Sequence, residues 1–235
     1  MDNLTGKVAL VTGASRGIGA AVARRLAQAG VALGLGSRSG DDLGIEGAVA
    51  VATDVRDPAA VDALVAATVE AHGRLDIVVA NAGVGAYGPF LELDPEQLEL
   101  MIDVNLKGVM YTARAALPHL VAAGGGDFVS LASVAGVRAF PGEAVYNASK
   151  FGQVGFTRAL DGELREHGVR CTCICPGGVA TDFAVGTGRT EDMPELDGMM
   201  RPEDVADVVM FAITRPPGVR LLTTTLRPMS EASWG

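Results

Sequence analysis

Seven short runs rich in β-branched and apolar residues recur along the 235 residues: Val8–Val11, Val31–Leu35, Val49–Thr53, Ile77–Ala80, Phe128–Leu131, Val169–Ile174 and Leu221–Leu226. Several are nearly continuous rather than alternating, the pattern of a parallel strand buried on both faces. Between them lie longer stretches with helical spacing. That alternation over the whole length predicts one doubly wound sheet of about seven parallel strands flanked by helices. With 49% hydrophobic and only 20% charged residues, the chain can bury a large core, which excludes disorder as its main state. No repeat, low-complexity segment or linker interrupts the pattern, so residues 1–235 read as a single domain.

Helix boundaries are marked. Gly17–Ala29 ends at Gly30, and Asp57-Pro58 and Asp94-Pro95 each pair an N-cap with proline in the first turn, the second adding Gln97 in a capping-box position. Further helices are expected over Glu143–Glu166 and Pro202–Thr214. Only eleven residues, Ser37–Gly47, join the second and third strands, too few for the usual crossover helix.

Charge and cysteine content exclude several classes. A net charge of −9 argues against nucleic acid and anionic membranes, whose binding draws on clustered Lys and Arg. Three cysteines close together do not make a disulfide framework. The segment Met1–Lys7 lacks a signal-peptide profile, and no apolar run reaches the roughly 18 residues of a membrane span, so a cytoplasmic protein is expected.

The chemistry starts at Thr12-Gly13-Ala14-Ser15-Arg16-Gly17-Ile18-Gly19, between the first strand and the first helix. Glycines let the backbone turn sharply and approach a ligand, and a helix N-terminus offers N–H groups and partial positive charge to a phosphate. A turn with merely packing glycines is the competing reading. Tyr146 and Lys150, in Tyr146-Asn147-Ala148-Ser149-Lys150, stand at i and i+4 and share one helix face. An ammonium beside a phenol favours the phenolate and brings proton exchange toward working pH. A lone Tyr-x-x-x-Lys is weak evidence. Joined in chain order with the glycine-rich turn, Asn81-Ala82-Gly83, Asn105 and Ser133, it is specific.

This set resembles the short-chain dehydrogenase/reductase family, over about Leu4–Asp182 and less specifically along the tail. The resemblance implies a Rossmann-type fold and a hydride-transferring oxidoreductase acting on a carbonyl or secondary alcohol. In it Tyr146 is the acid/base, Ser133 holds the substrate oxygen, Lys150 tunes Tyr146 and binds the nicotinamide ribose, and Asn105 supports a proton relay. Gly13, Ser15, Arg16, Gly17, Ile18 and Gly19 cradle the cofactor phosphates. Asp54 reaches the adenine amino group and Val55 flanks the ring. Asn81, Ala82 and Gly83 back the cofactor, and in the cofactor-binding segment opened by Pro176 and Gly177, Val179 and Thr181 bracket the carboxamide. Two features depart from the common pattern: the shortened second crossover, and Ser37-Arg38 where many dinucleotide folds carry an acid for the ribose hydroxyls. Arg38 and Arg16 suit a 2′-phosphate, so NADP(H) is the expected cofactor.

Cys171, Cys173 and Cys175 alternate on one strand face and read as small buried hydrophobes rather than zinc ligands. No metal site is expected. His72 and His167 each precede a glycine at a helix end and read as caps. Residues 183–200 read as a lid, and with Val84–Tyr87 and Arg138–Glu143 they form the expected substrate walls. A 3-oxoacyl-carrier-protein reductase is an alternative, although Val121–Asp127 offers no basic residue to dock an acidic carrier. A noncatalytic NADP-binding redox sensor is another, against which the intact tetrad counts. A homodimer or homotetramer built on the helices Pro95–Val121 and Glu143–Glu166 is expected from the resemblance.

Overall fold

The computed structural model describes residues 4–188, 190 and 198–231. Seven strands form one parallel sheet: β1 (Val8–Thr12), β2 (Ala32–Ser37), β3 (Val49–Ala52), β4 (Ile77–Ala80), β5 (Gly126–Leu131), β6 (Val169–Pro176) and β7 (Thr223–Leu226). Their spatial order is β3-β2-β1-β4-β5-β6-β7. The chain winds outward from β1 to β3, then returns to the far side of β1 as β4. Beyond the carboxyl ends of β1 and β4 this reversal leaves the crevice where open α/β sheets bind ligands.

Among the described residues six α-helices cover the two faces: α1 (Gly17–Gln28), α2 (Pro58–His72), α3 (Pro95–Ile102), α4 (Gly108–Ala122), α5 (Ala144–Leu164) and α6 (Pro202–Ile213). The strand period divides the core between them. Ala9 and Val11 point to one side, where Leu26 of α1 and Val205 and Val209 of α6 pack. Val8 and Leu10 point to the other, against Leu64, Leu117, Leu120 and Phe128. Both faces of β1 are fully buried, which is why its sequence does not alternate.

The boundary signals act as expected. Asp57 accepts from the Ala59 N–H at 2.9 Å, and the Asp94 N–H donates to Gln97 Oε1 at 3.2 Å. No helix forms between β2 and β3; Asp41 and Asp42 fold that link into turns by accepting from the Leu43 and Gly44 N–H groups. Two expectations are corrected. The helix foreseen over Pro95–Val121 is not regular throughout: it runs to Ala122 but passes through a π-helical turn at Asp103–Lys107, which widens the backbone around Asn105. His72 does not cap its own helix: the left-handed Gly73 ends it, and His72 Nε2 meets the Leu33 carbonyl of β2 at 3.3 Å. Gly168, also left-handed, closes the turn after His167.

Where α2 crosses β2, Gly34 admits Thr68. A Cβ on Gly34 would stand 1.9 Å from Thr68 Oγ1 and 2.6 Å from Cγ2, and both residues are buried. Gly34→Ala therefore overpacks this crossing, at a cost of about 1–3 kcal/mol. At roughly 2–4 °C per kcal/mol for a chain of this size, calorimetry should show a clear drop in melting temperature. An unchanged melting temperature would mean that the crossing can slide.

Candidate active site

A cleft of about 710 Å³ opens across the carboxyl ends of the strands. Its wall runs from the turn after β1 (Gly13, Ser15–Ile18) past Ser37–Ser39, Thr53–Arg56 and Asn81–Val84 to Ala132–Val134, Tyr146, Lys150, Pro176–Val179 and Thr181–Phe183. Every expected site residue lines it except Gly19 and Asn105, which lie behind it.

Gly19 is a packing glycine: a Cβ there would stand 2.2 Å from the Gly13 carbonyl oxygen. Gly13, at φ 66°, abuts Ala82 Cα. The two turns are stitched together by Asn81, whose Nδ2 donates to the carbonyls of Thr12 (3.0 Å) and Gly13 (3.1 Å). Thr12 Oγ1 in return accepts from the N–H groups of Asn81 and Ala82. The first-turn N–H groups of α1 receive no side-chain cap from Arg16, so they remain available to an anion.

At the β2 end of the cleft, Ser37 is buried, with Oγ accepting from the Gly40 N–H and meeting Ser39 Oγ at 3.1 Å. Arg38 is exposed on the cleft rim. Arg56, which sequence reasoning passed over, joins it there and grips Asp54 through Nε and Nη2. That fork, with a smaller contribution from Arg38, holds the Asp54 carboxyl below its ordinary range. Arg16 lies 3.7 Å from Asp182 across the mouth of the cleft, both well exposed. Asp182 was likewise unforeseen.

At the other end, α5 presents Tyr146 and Lys150, both buried, with Lys150 Nζ 5.6 Å from the Tyr146 ring centre. Nζ donates to the Leu131 carbonyl at 3.2 Å and to Gln153 Oε1 at 2.9 Å. Burial pulls the Lys150 ammonium down to about 8. Tyr146 stands edge-on to Tyr87 at 5.5 Å and 6.0 Å from Phe183. Ser133 Oγ accepts from the Ala135 N–H at 3.1 Å, and its contact with the Pro176 carbonyl is a long 3.5 Å, so this hydroxyl is loosely held on its donor side. Asn105 is fully buried and braces the loop behind the cleft: Oδ1 accepts from the Val84 N–H, and Nδ2 donates to the Val84 carbonyl and to Ser149 Oγ.

The loop after β6 is tied from an unforeseen direction. Glu231 accepts from the Gly178 N–H at 2.6 Å and from Arg227 Nε at 2.6 Å. Met200 bridges Val179, and Thr187 Oγ1 donates to the Gly85 carbonyl at 2.6 Å, so both described ends of the expected lid are bonded to the walls. Residues 189 and 191–197 of that lid lie outside the described residues. The three cysteines are free and buried on β6, and no group of metal-ligating side chains occurs among the described residues. No helix among them is long and apolar enough to cross a membrane.

The model of short chain dehydrogenases matches residues 7–192. The chain belongs to the short-chain dehydrogenase family. It is an oxidoreductase of that family, 43% identical over 209 residues to oxidoreductase UcpA of Salmonella typhimurium, covering 85% of this chain and 80% of the relative. The fold agrees with solved members. An alcohol dehydrogenase from the archaeon Thermococcus sibiricus, complexed with 5-hydroxy-NADP, superposes with a TM-score of 0.86 at 32% identity, over 97% of this chain and 99% of that one. The closed form of a serine dehydrogenase complexed with NADP+ gives 0.87 at 32% identity, over 97% of each chain.

Proposed function

We propose that this short-chain dehydrogenase uses NADP(H) to interconvert a carbonyl and a secondary alcohol of a small substrate, with Tyr146 as the acid/base. The observation that carries the reading is the placing of Tyr146 and Lys150 side by side on α5, on the wall of a cleft that starts at the uncapped N-terminus of α1. The residues present fit a dinucleotide. A cofactor phosphate placed at the glycine-rich turn would meet the uncapped first turn of α1. Arg38 and Arg16 suit a 2′-phosphate, and Ser37 puts no carboxylate in its way. The NADP-bound neighbours support the same choice. When bound, the cofactor supplies or accepts the hydride.

The chain's own groups do the rest. In the reductive direction Tyr146 Oη gives its proton to the carbonyl oxygen, and Ser133 Oγ donates a hydrogen bond to that oxygen as charge develops on it. The Lys150 ammonium stabilises the phenolate left behind. Two of its donors are held by Leu131 and Gln153, which leaves the third for the ribose hydroxyls. Tyr87, Phe140 and Phe183 make one side of the substrate end apolar. The site residues assigned by resemblance, Asn105 included, are part of this proposal, as are an assembly of two or four copies and a cytoplasmic setting.

Calorimetric titration should show saturable NADPH binding. A panel of small ketones, aldehydes and hydroxy acids followed by nicotinamide absorbance should then show turnover on at least one member. Binding with no turnover on any substrate, acyl-carrier thioesters included, would point instead to a redox sensor. No binding would overturn the proposal.

A further inference from the structure

Gln153 is fully buried, one helical step beyond Lys150 on α5. Packing alone does not call for an amide there; Met or Leu fills such a space without polar atoms that need partners. The amide is nonetheless satisfied. Nε2 donates to Ser130 Oγ at 2.9 Å and to the Leu131 carbonyl at 3.2 Å, which turns Oε1 onto Lys150 Nζ at 2.9 Å. Nζ also donates to the Leu131 carbonyl, so lysine, amide and strand end close a small ring.

We infer that Gln153 is a positioning residue that keeps Lys150 charged against Tyr146 and thereby sets the pH at which Tyr146 exchanges its proton. The inference rests on the reading of Tyr146 and Lys150 as the proton-transfer pair.

The surroundings of Nζ make the acceptor matter. Burial disfavours the ammonium. The titratable groups that act on it are Cys173 and Cys175 from β6, and Tyr146 faces it from its own helix. The π turn brings neutral Asn105, near Gly83, and the end of β5 leads to neutral Ser133. Among these neighbours the ammonium is held by two neutral oxygens, Gln153 Oε1 and the Leu131 carbonyl. Losing one acceptor favours neutral Lys150, and a neutral amine no longer draws the proton off Tyr146. Tyr146 and Lys150 then titrate as a pair whose phenolate forms at higher pH.

The test is Gln153→Met, which keeps the shape and removes the acceptor. The chain has three tyrosines, so tyrosinate absorbance against pH, with the Tyr146→Phe trace subtracted, isolates Tyr146 without requiring turnover. The midpoint is expected to rise by about one pH unit or more in Gln153→Met. The acid limb of kcat/KM for alcohol oxidation should move the same way, and the melting temperature should stay close to that of the parent. Ser130→Ala, which frees the far side of the amide, should give a smaller shift of the same sign and serves if Gln153→Met does not fold. A midpoint that superposes on the parent in either folded variant overturns the inference, whatever happens to the rate. If the parent turns over no carbonyl or alcohol but the midpoint still moves, the proposed function fails and the role of Gln153 stands.

Discussion

Tyr146→Phe is expected to lower turnover by about 10²–10⁴-fold, the range a positioned acid/base contributes, while NADPH binds as before. The substitution removes one oxygen. The ring keeps its contacts with Tyr87 and Phe183, and Lys150 remains anchored to Leu131 and Gln153. The α1 turn and the arginines at the adenosine end lie elsewhere in the cleft, so cofactor affinity has no reason to change. The loss should appear in kcat and kcat/KM together, because the proton transfer is made only in the transition state. Ser133→Ala should cost less, since it removes a hydrogen bond rather than the proton itself. Turnover of Tyr146→Phe within about tenfold of the parent would require another acid, and the proposed chemistry would have to be rebuilt.

Strands were legible wherever a run was apolar throughout. Ile77–Ala80 was read end to end, because a strand buried on both faces contains no polar residue to blur its limits. β6 runs two residues further than its pattern suggested, since Cys175 and Pro176 continue the ladder beside β7. The π turn left no trace: its one extra residue per turn disturbs the helical period of Pro95–Val121 too little to register. Within the site, the motif residues were legible because their spacing is local. The residues that act on them were harder to find. Arg56 stands two positions after Asp54, so the pair was visible in the sequence, but only the turn shows its fork closing on the carboxylate. Gln153 had a signal that went unused: an amide at i+3 from Lys150, on a helix face that the period turns inward. Glu231 had none, because its bond to Gly178 spans 53 residues and depends on how the chain leaves β7.

Arg38→Ala is expected to lower kcat/KM for NADPH by about 10–100-fold and to leave that for NADH within about twofold, because a hydrogen bond to a charged group is worth roughly 1.5–3 kcal/mol and every 1.4 kcal/mol is tenfold. Only NADPH carries the phosphate that Arg38 would grip, so the two cofactors separate this role from a general loosening of the loop. Arg38 is exposed, and ions screen such a contact. The discrimination should therefore shrink as salt is raised, in the parent more than in the variant. Arg16→Ala should have the smaller effect of the two. Its guanidinium already lies 3.7 Å from Asp182, so a bound phosphate competes with that carboxylate. Asp182→Asn removes the competitor and should tighten NADPH binding modestly through Arg16. Ser37→Asp works in the opposite sense: it restores an acceptor for the ribose hydroxyls, repels the phosphate and should move preference toward NADH. Equal losses for NADPH and NADH in Arg38→Ala would mean that Arg38 shapes this end of the cleft without reading the phosphate, and any preference for NADP(H) would then have to come from Arg16 or Arg56.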